Sequence, residues 1–138
     1  MATLKSAIYT LLETDAKLTG ASNLGTLLGL SAASPYGVFF RNPPADIDFE
    51  SYSIITFFVN SMTGRFPRDI YFNVTAWGDN FEAILNRCYA LLHKASLGSL
   101  TDYKNLMIKW DNSGPELYSD ELRVYFQQQR YLIKGIKS

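Results

Sequence analysis

The sequence has 138 residues, with 13 basic and 13 acidic side chains, one histidine and one cysteine, and 47% of its residues are hydrophobic. These values predict one compact domain, 1–138, and they exclude a disordered chain, an internal disulfide and a strongly basic nucleic-acid-binding groove. The first 17 residues hold too short an apolar run for a signal peptide, and no stretch approaches the roughly 18 apolar residues of a membrane span. We therefore expect a soluble intracellular domain.

The first half of the chain predicts one helix and two strands. Apolar residues recur at helical spacing from Leu4 to Leu12, which predicts a helix over about residues 3 to 15. Glycines and leucines follow as far as Pro35, a pattern typical of a mobile loop with room for one more helical turn. Two apolar stretches, Tyr36–Arg41 and Tyr52–Val59, then predict strands on either side of a proline-containing loop.

The clearest strand is predicted at Asp69–Trp77. Its apolar residues alternate with polar and aromatic ones, so Ile70, Phe72 and Val74 point to one face and Tyr71 points to the other. This alternation indicates a strand with one face in the core.

Gly78 ends this strand, and a helix is predicted to follow. Asp79 with Glu82 three residues later matches a capping box, and the helix is expected to end near Ala95, before Gly98. Its apolar stripe consists of Phe81, Ile84, Leu85, Cys88, Leu91 and Leu92.

Two further strands complete the prediction. The first covers Leu106–Trp110, the segment DNSGP is interpreted as a turn, and a long strand runs from about Glu121 to Ile133. The predicted order is α-β-β-β-α-β-β. This order indicates an α+β domain with a mostly antiparallel sheet and with helices packed on one face.

The residue types needed for catalysis are sparse. His93 is the only histidine and follows Cys88 by five residues on the predicted helix, about 140° around its axis, so a Cys-His pair is not expected. Cys88 is expected to be a small buried apolar residue and His93 a helix-end residue. Asp46, Asp48 and Glu50 alternate in a loop that lacks the glycine and the distant glutamate of a calcium loop. We therefore predict no catalytic residue, no cofactor and no metal, and hence no enzyme.

Aromatic residues, at 14% of the chain, exceed what one small core needs. Phenylalanine, tyrosine and tryptophan are enriched at the centres of protein interfaces, so the excess favours a protein-protein surface. Each of these residues could also lie at the edge of the core. The candidate strand residues are Phe57, Phe58, Tyr71, Trp77, Tyr125 and Tyr131.

A second candidate surface is the connection NSMTGRFPRD, Asn60 to Asp69, which is longer than a hairpin requires. Arg65 and Arg68 flank Phe66 in this segment. One interpretation is a solvated turn. The other is a tip that contacts an adjacent subunit or a tube protein, with Phe66 buried and the arginines paired to carboxylates or facing a DNA channel.

The order of these segments resembles that of the small tail-completion or tail-terminator proteins of long-tailed bacteriophages. The likeness covers most of the chain and includes a short helix (TLLETDAKL), a loop leading to a strand (SPYGVFF) and an aromatic-rich strand (YSIITFFV). Its most specific part is the strand-to-helix segment DIYFNVTAWGDNFEAILNRCYALLH. The resemblance implies an α+β subunit that forms a ring, usually hexameric, on the last ring of the tail tube, stops tube growth and presents a face to the head connector.

The resemblance also implies the partners. These are further copies of the chain, the tail-tube protein, a head-completion or connector protein, and genome DNA that passes through the lumen without sequence-specific binding, with no membrane. The expected location is the virion neck, and the host cytoplasm during assembly. The alternative interpretation is a small intracellular enzyme or ligand-binding domain with an aromatic-lined pocket around the loop of residues 20 to 35.

Overall fold

The computed structural model describes residues 4–17, 23–28, 37–40, 43, 53–60, 70–100 and 103–137. In chain order the elements are α1 Leu4–Ala16, α2 Leu24–Leu27, β1 Val38–Phe40, β2 Ile54–Asn60, β3 Ile70–Trp77, α3 Phe81–Leu92, β4 Ser96–Leu100, β5 Tyr103–Ser119 and β6 Val124–Lys137. The α+β class is confirmed, and two short elements, α2 and β4, add to the predicted order.

The six strands form one sheet in the order β1-β2-β3-β6-β5-β4. Only the β1–β2 pair is parallel, and all other neighbours are antiparallel. The two halves of the chain meet where β3 pairs with β6, in a register that joins Ile70 to Ile133 and Trp77 to Phe126. This central pair therefore fixes the position of everything that β5 and β6 carry.

The helices share a core with one face of the sheet. The alternation predicted for β3 is confirmed, because Ile70, Phe72, Val74 and Ala76 are buried while the residues between them are half-buried. The stripe predicted for α3 is also confirmed, with Leu91 partly buried at its margin. We call the helix-covered side of the sheet the inner face and the other side the outer face.

The segment DNSGP does not form the predicted turn. It lies inside β5, where Asn112 pairs with Arg130 and Ser113 with Gln129, and the register shifts on either side of these pairs. Such irregularities allow an edge strand to include Gly114 and Pro115. The connection between β5 and β6 is instead the turn Asp120–Arg123, where the Arg123 N–H donates to the Ser119 carbonyl at 2.7 Å.

The strand β4 is not predicted from the sequence. This strand, SLGSL, pairs with β5 between Ser96 and Leu100 with two register shifts. Its glycine and serines have low strand propensity, so the pairing with β5 decides its conformation.

The predicted capping box at α3 is wrong. Asp79 is exposed and precedes the N-cap residue Asn80, and no side chain caps the helix there. The Asn80 amide accepts a hydrogen bond from Ser53 Oγ at 2.6 Å and donates to the Leu27 carbonyl at 2.6 Å. Asn80 thus ties the start of α3 to the start of β2 and to the end of α2.

Gly78 makes this corner possible. Its φ of +146° is a conformation that residues with a side chain rarely adopt, and a Cβ at this position would lie 2.7 Å from the Ser53 Cβ. The glycine predicted to end β3 is therefore required both by its backbone angle and by the close approach of Ser53.

One buried carboxylate joins the three helices. Asp15 Oδ1 and Oδ2 of α1 accept hydrogen bonds from Arg87 of α3 at 2.7 and 2.9 Å, from Asn23 Nδ2 at 2.7 Å and from the Leu24 N–H at 2.8 Å. Burial opposes the charged form of Asp15, but these donors outweigh it and hold its pKa below the ordinary value. The helical layer is thus built around a charged carboxylate.

We expect Asp79→Ala to change the free energy of unfolding by less than about 0.5 kcal/mol, because the exposed side chain makes no cap bond. Asn80→Ala should cost about 1 kcal/mol, since it removes the bonds to Ser53 and Leu27. Chemical denaturation of both variants measures the difference. An equal loss of unfolding free energy in the two variants would support a capping role for Asp79 and contradict the geometry at Asn80.

Asp15→Asn should destabilise the fold by about 3 kcal/mol at neutral pH, at the lower end for a broken buried pair because Arg87 is partly exposed. The folded-state pKa of Asp15 lies below its ordinary value of 3.8. Its contribution is therefore complete above that value and is lost as pH falls through the lower folded-state pKa. Urea denaturation between about pH 5 and pH 2 should show a shallower decline for Asp15→Asn than for the unaltered chain.

The matched control is Glu13→Gln, which alters the partly exposed pair between Glu13 of α1 and Lys17 just after it. This change should move the free energy of unfolding by less than about 1 kcal/mol at neutral pH. If Asp15→Asn lowered the free energy of unfolding no more than Glu13→Gln does, the Asp15 carboxylate would not be what holds the helices together.

Candidate interaction surface

Two of the aromatic residues predicted at an interface belong to the core. Tyr131 is 0% exposed and stacks on Phe72 with ring centroids 5.3 Å apart, and Phe57 is 1% exposed. The Tyr131 hydroxyl donates to Gln129 Oε1 at 2.7 Å, and burial raises the pKa of this phenol. The sequence prediction is corrected here, because neither side chain presents a surface to a partner.

Two other candidates lie half-buried on the outer face and already have partners within the chain. The Trp77 N–H donates to Thr56 Oγ1 at 2.8 Å, and its ring stacks on Phe126 at 4.4 Å. The Arg130 guanidinium lies over the Tyr71 ring, 4.8 Å from its centroid. These contacts stabilise the outer face and cover part of each ring.

Tyr125 is the strand candidate that the structure leaves well exposed. It is 50% exposed near the end of the β5–β6 hairpin and is the register partner of Tyr118, which is 48% exposed, with the two rings 4.8 Å apart. Leu117, also 48% exposed, pairs with Phe126 and faces the other side of the sheet. Three exposed carboxylates, those of Glu116, Asp120 and Glu121, belong to the same end of the hairpin. We call these six residues the hairpin surface.

Leu117 and Tyr118 are not among the interface residues predicted from the sequence. Because DNSGP is interpreted as the turn, residues 116–120 are assigned to no strand in the prediction. The signal available was the polar run SDELR, which favours a turn and would have placed Tyr118 opposite Tyr125. In the structure these two tyrosines are register partners.

A second exposed aromatic group lies between α3 and β5. Tyr89 stacks on His93 at 4.7 Å and meets the edge of Trp110 at 6.3 Å, while the Trp110 N–H donates to His93 Nδ1 at 3.0 Å. His93 directly follows α3, as predicted for a helix-end residue. Its Nδ1 serves to fasten the end of the helix to β5.

The hairpin surface lies on an uncovered edge of the sheet. β4 pairs with β5 only between Tyr103 and Met107, and the chain after α3 bonds to Ile108 and Trp110. Beyond Trp110, no strand in the described part of the chain pairs with the outer edge of β5. An open edge beside exposed aromatic rings is a typical place for a protein contact.

The described residues offer little for catalysis. Cys88 is fully buried, and burial raises the pKa of its thiol to about 12. Within the described ranges, no three His, Cys, Asp or Glu residues lie close enough together to hold a metal ion, and none of the helices there has the length and apolarity to cross a membrane. Asp46, Asp48 and Glu50, and the interface candidates Arg65, Phe66 and Arg68, lie outside the described residues.

Comparison with known proteins adds no relative. No protein-family model matches the chain, and no curated protein matches it with significance. The exposed surfaces of the domain are therefore the main evidence for what it does.

The same substitution at two positions of β6 should separate surface from core. Tyr125→Ser should change the free energy of unfolding by less than about 1 kcal/mol because the side chain is half exposed. Tyr131→Ser should cost about 3 to 5 kcal/mol because it leaves a cavity beside Phe72. Chemical denaturation provides both values, and similar losses at the two sites would show that the hairpin end is part of the core.

Proposed function

We propose that this chain is a structural subunit of a bacteriophage neck. In this proposal, copies of it form a ring, hexameric as in the family it resembles, that caps the tail tube, ends tube polymerisation and supports joining to the head connector. Its partners are further copies of the chain, the tail-tube protein and a head-completion or connector protein. The observation that carries the proposal is the concentration of exposed apolar side chains on one side of the domain.

All the large apolar side chains that are well exposed in the described part of the chain lie on α3, β5 and β6. They are Tyr89, Met107, Trp110, Leu117, Tyr118 and Tyr125. None lies on α1, α2 or the β1–β2 side of the sheet. Exposed aromatic side chains that are concentrated on one part of a domain are typical of a surface that binds another protein.

The charge of the chain fits a ring around DNA. The 13 basic and 13 acidic residues balance, so the subunit has no excess positive charge to hold phosphates. Each phosphate contact strengthens binding and slows passage of a nucleic acid, so a neutral subunit suits a lumen that DNA must traverse. This supports passage without sequence-specific binding.

Among the described residues, no reacting pair supports the enzyme alternative. Cys88 is held in the core with a pKa of about 12, so almost none of it is thiolate at neutral pH. His93, the single histidine, already accepts a hydrogen bond at Nδ1 from the Trp110 N–H and is stacked on Tyr89. We therefore propose a role in assembly, in the virion neck and before that in the host cytoplasm, over a catalytic one.

The test is a disruption of the gene in the phage that encodes it. Loss of the chain should give tail tubes of uncontrolled length with few joined heads, measured by electron microscopy of lysates. Supplying the unaltered chain from a plasmid should restore tails of uniform length. In the purified virions, labelled antibody against the chain should mark the upper end of the tube.

A pair of variants tests whether tail-length control depends on the exposed tyrosines of the hairpin surface. Tyr118→Ser with Tyr125→Ser should reproduce the loss while the monomer keeps its melting temperature, because both side chains are about half exposed. Thr75→Ser, a conservative change of a half-buried residue on the outer face, should complement fully. Tails of normal length and normal head joining after gene disruption would refute the proposed function.

A further inference from the structure

The open edge of β5 is acidic at the end where the hairpin turns. The hairpin surface contains three exposed carboxylates, and the turn beside it adds one guanidinium, that of Arg123. None of the three carboxylates belongs to a salt bridge among the described residues. The exposed rings of Tyr118 and Tyr125 therefore lie on a part of the domain with an excess of negative charge.

The other end of the open edge is cationic. Lys94 lies just after α3 and Lys109 lies just before Trp110, and both lysine side chains are exposed. Neither belongs to a salt bridge among the described residues, and the neighbouring carboxylate of Asp111 is already bound by Arg130 at 2.6 Å. We call this second group of residues the helix-end surface; it consists of Tyr89, His93, Lys94, Lys109 and Trp110.

The two surfaces are complementary and belong to one strand. Trp110 and Tyr118 are eight residues apart on β5, which is at most about 26 Å at roughly 3.3 Å per residue. Lysine ammonium groups are attracted both by carboxylates and by the faces of tyrosine rings. No salt bridge among the described residues joins the two surfaces within the chain. Each surface therefore has the chemistry that the other would bind.

The middle of the open edge does not favour the addition of a strand. Pro115 has no N–H group, and the pairing register shifts between Ser113 and Glu116. Proline and irregular pairing in an edge strand interrupt the hydrogen-bond ladder that an added strand would form. An arbitrary extended peptide is thus a poor partner. A suitable partner must match the side chains at both ends of the edge.

A second copy of the chain meets this requirement. When it lies antiparallel to the first, about a two-fold axis near Gly114, the Tyr118 of each copy lies opposite the Trp110 of the other. The acidic end of each β5 edge then faces Lys94 and Lys109 of the other copy. In such an isologous arrangement the same contact forms twice. The spacing of the two surfaces matches because the two chains are identical.

We propose that two copies of the chain pair antiparallel through their β5 edges, with the hairpin surface of each on the helix-end surface of the other. This pairing covers the exposed aromatic rings at both ends of the edge. The pairing does not depend on the proposed function. A role for the dimer as the free form of a neck subunit, with its assembly surface covered until the ring forms, rests on that function.

Cross-linking of a single-cysteine variant tests the two-fold arrangement. Gly114→Cys places one thiol per chain beside the axis, and its Cβ would lie 3.5 Å from the Gln128 carbonyl oxygen, an ordinary contact. A short bis-maleimide, which bonds one thiol at each end, should join the purified chains into covalent dimers on a denaturing gel. Cys88 can remain, since its thiol is buried with a pKa of about 12.

The matched control is Ala83→Cys, an exposed position on α3 outside both surfaces. Little covalent dimer is expected from it. Equal yields from the two positions, or no dimer from Gly114→Cys, would overturn the proposal. A head-to-tail contact between the same surfaces would separate neighbouring Gly114 residues by about 26 Å, beyond the reach of a short linker.

Sedimentation equilibrium of the unaltered chain provides the mass of the free form. We expect twice the mass of one chain, with dissociation on dilution. A monomer at every concentration would overturn the proposal. An open series of larger species would overturn it as well, because it indicates head-to-tail repetition instead of a closed pair.

Charge reversal tests which surfaces meet. Lys94→Glu with Lys109→Glu should weaken dimerisation about tenfold, because like charges then oppose each other. Adding Asp120→Lys with Glu121→Lys to the same chain should restore it, because both surfaces of every copy are then reversed. Loss without restoration, or no loss, would reject the contact between the helix-end surface and the hairpin surface.

The two proposals fail separately. Two-fold cross-linking with charge-dependent restoration, in a phage whose tails do not need the chain, would keep the pairing and reject the neck function. Overlong tails after gene disruption, together with a monomeric chain that gives no dimer through Gly114→Cys, would keep the neck function and reject the pairing.

Discussion

The helical layer depends on one charged carboxylate buried between three helices. α1 and α3 have 13 and 12 residues, and α2 has four, so none has the length to be stable alone. Asp15 accepts bonds from Arg87, Asn23 and the Leu24 N–H, and these donors offset the cost of burying its charge. The bonds to Asp15 determine the position of α2. The Leu27 carbonyl at the end of α2 then accepts a hydrogen bond from Asn80, which positions the start of α3.

The parts of the fold that the sequence predicts are those in which burial alone sets the pattern. The alternation in β3 and the stripe of α3 report directly which side of each element faces the core. The prediction is wrong at DNSGP and misses β4 for the opposite reason. Their local chemistry favours a turn or a loop, but pairing with β6 and β5 is worth more than local preference and is invisible without knowledge of the partner strand.

The candidate surface was predictable only in part, because an aromatic excess does not say which ring lies on which face. Tyr131 and Tyr125 belong to the same strand and are separated by an even number of residues, so alternation assigns both to the inner face. Tyr131 lies beneath the helices and stacks on Phe72, whereas Tyr125 lies where the strand reaches the turn. The extent of the helical cover, which the sequence does not encode locally, decides that one is core and the other surface.

This shared strand couples stability to interaction. β6 begins beside Tyr125, pairs with β3 over Ile70–Trp77 and carries Tyr131 into the core. The core therefore holds the hairpin surface in a fixed direction. A surface built on strands that are anchored over eight residues moves little, and a rigid contact surface keeps a constant angle between neighbours. A constant angle between neighbouring copies is what would allow the proposed ring to close after a defined number of copies. In the proposed ring, the packing of Tyr131 against Phe72 would therefore set the angle between neighbours as well as stabilise the fold.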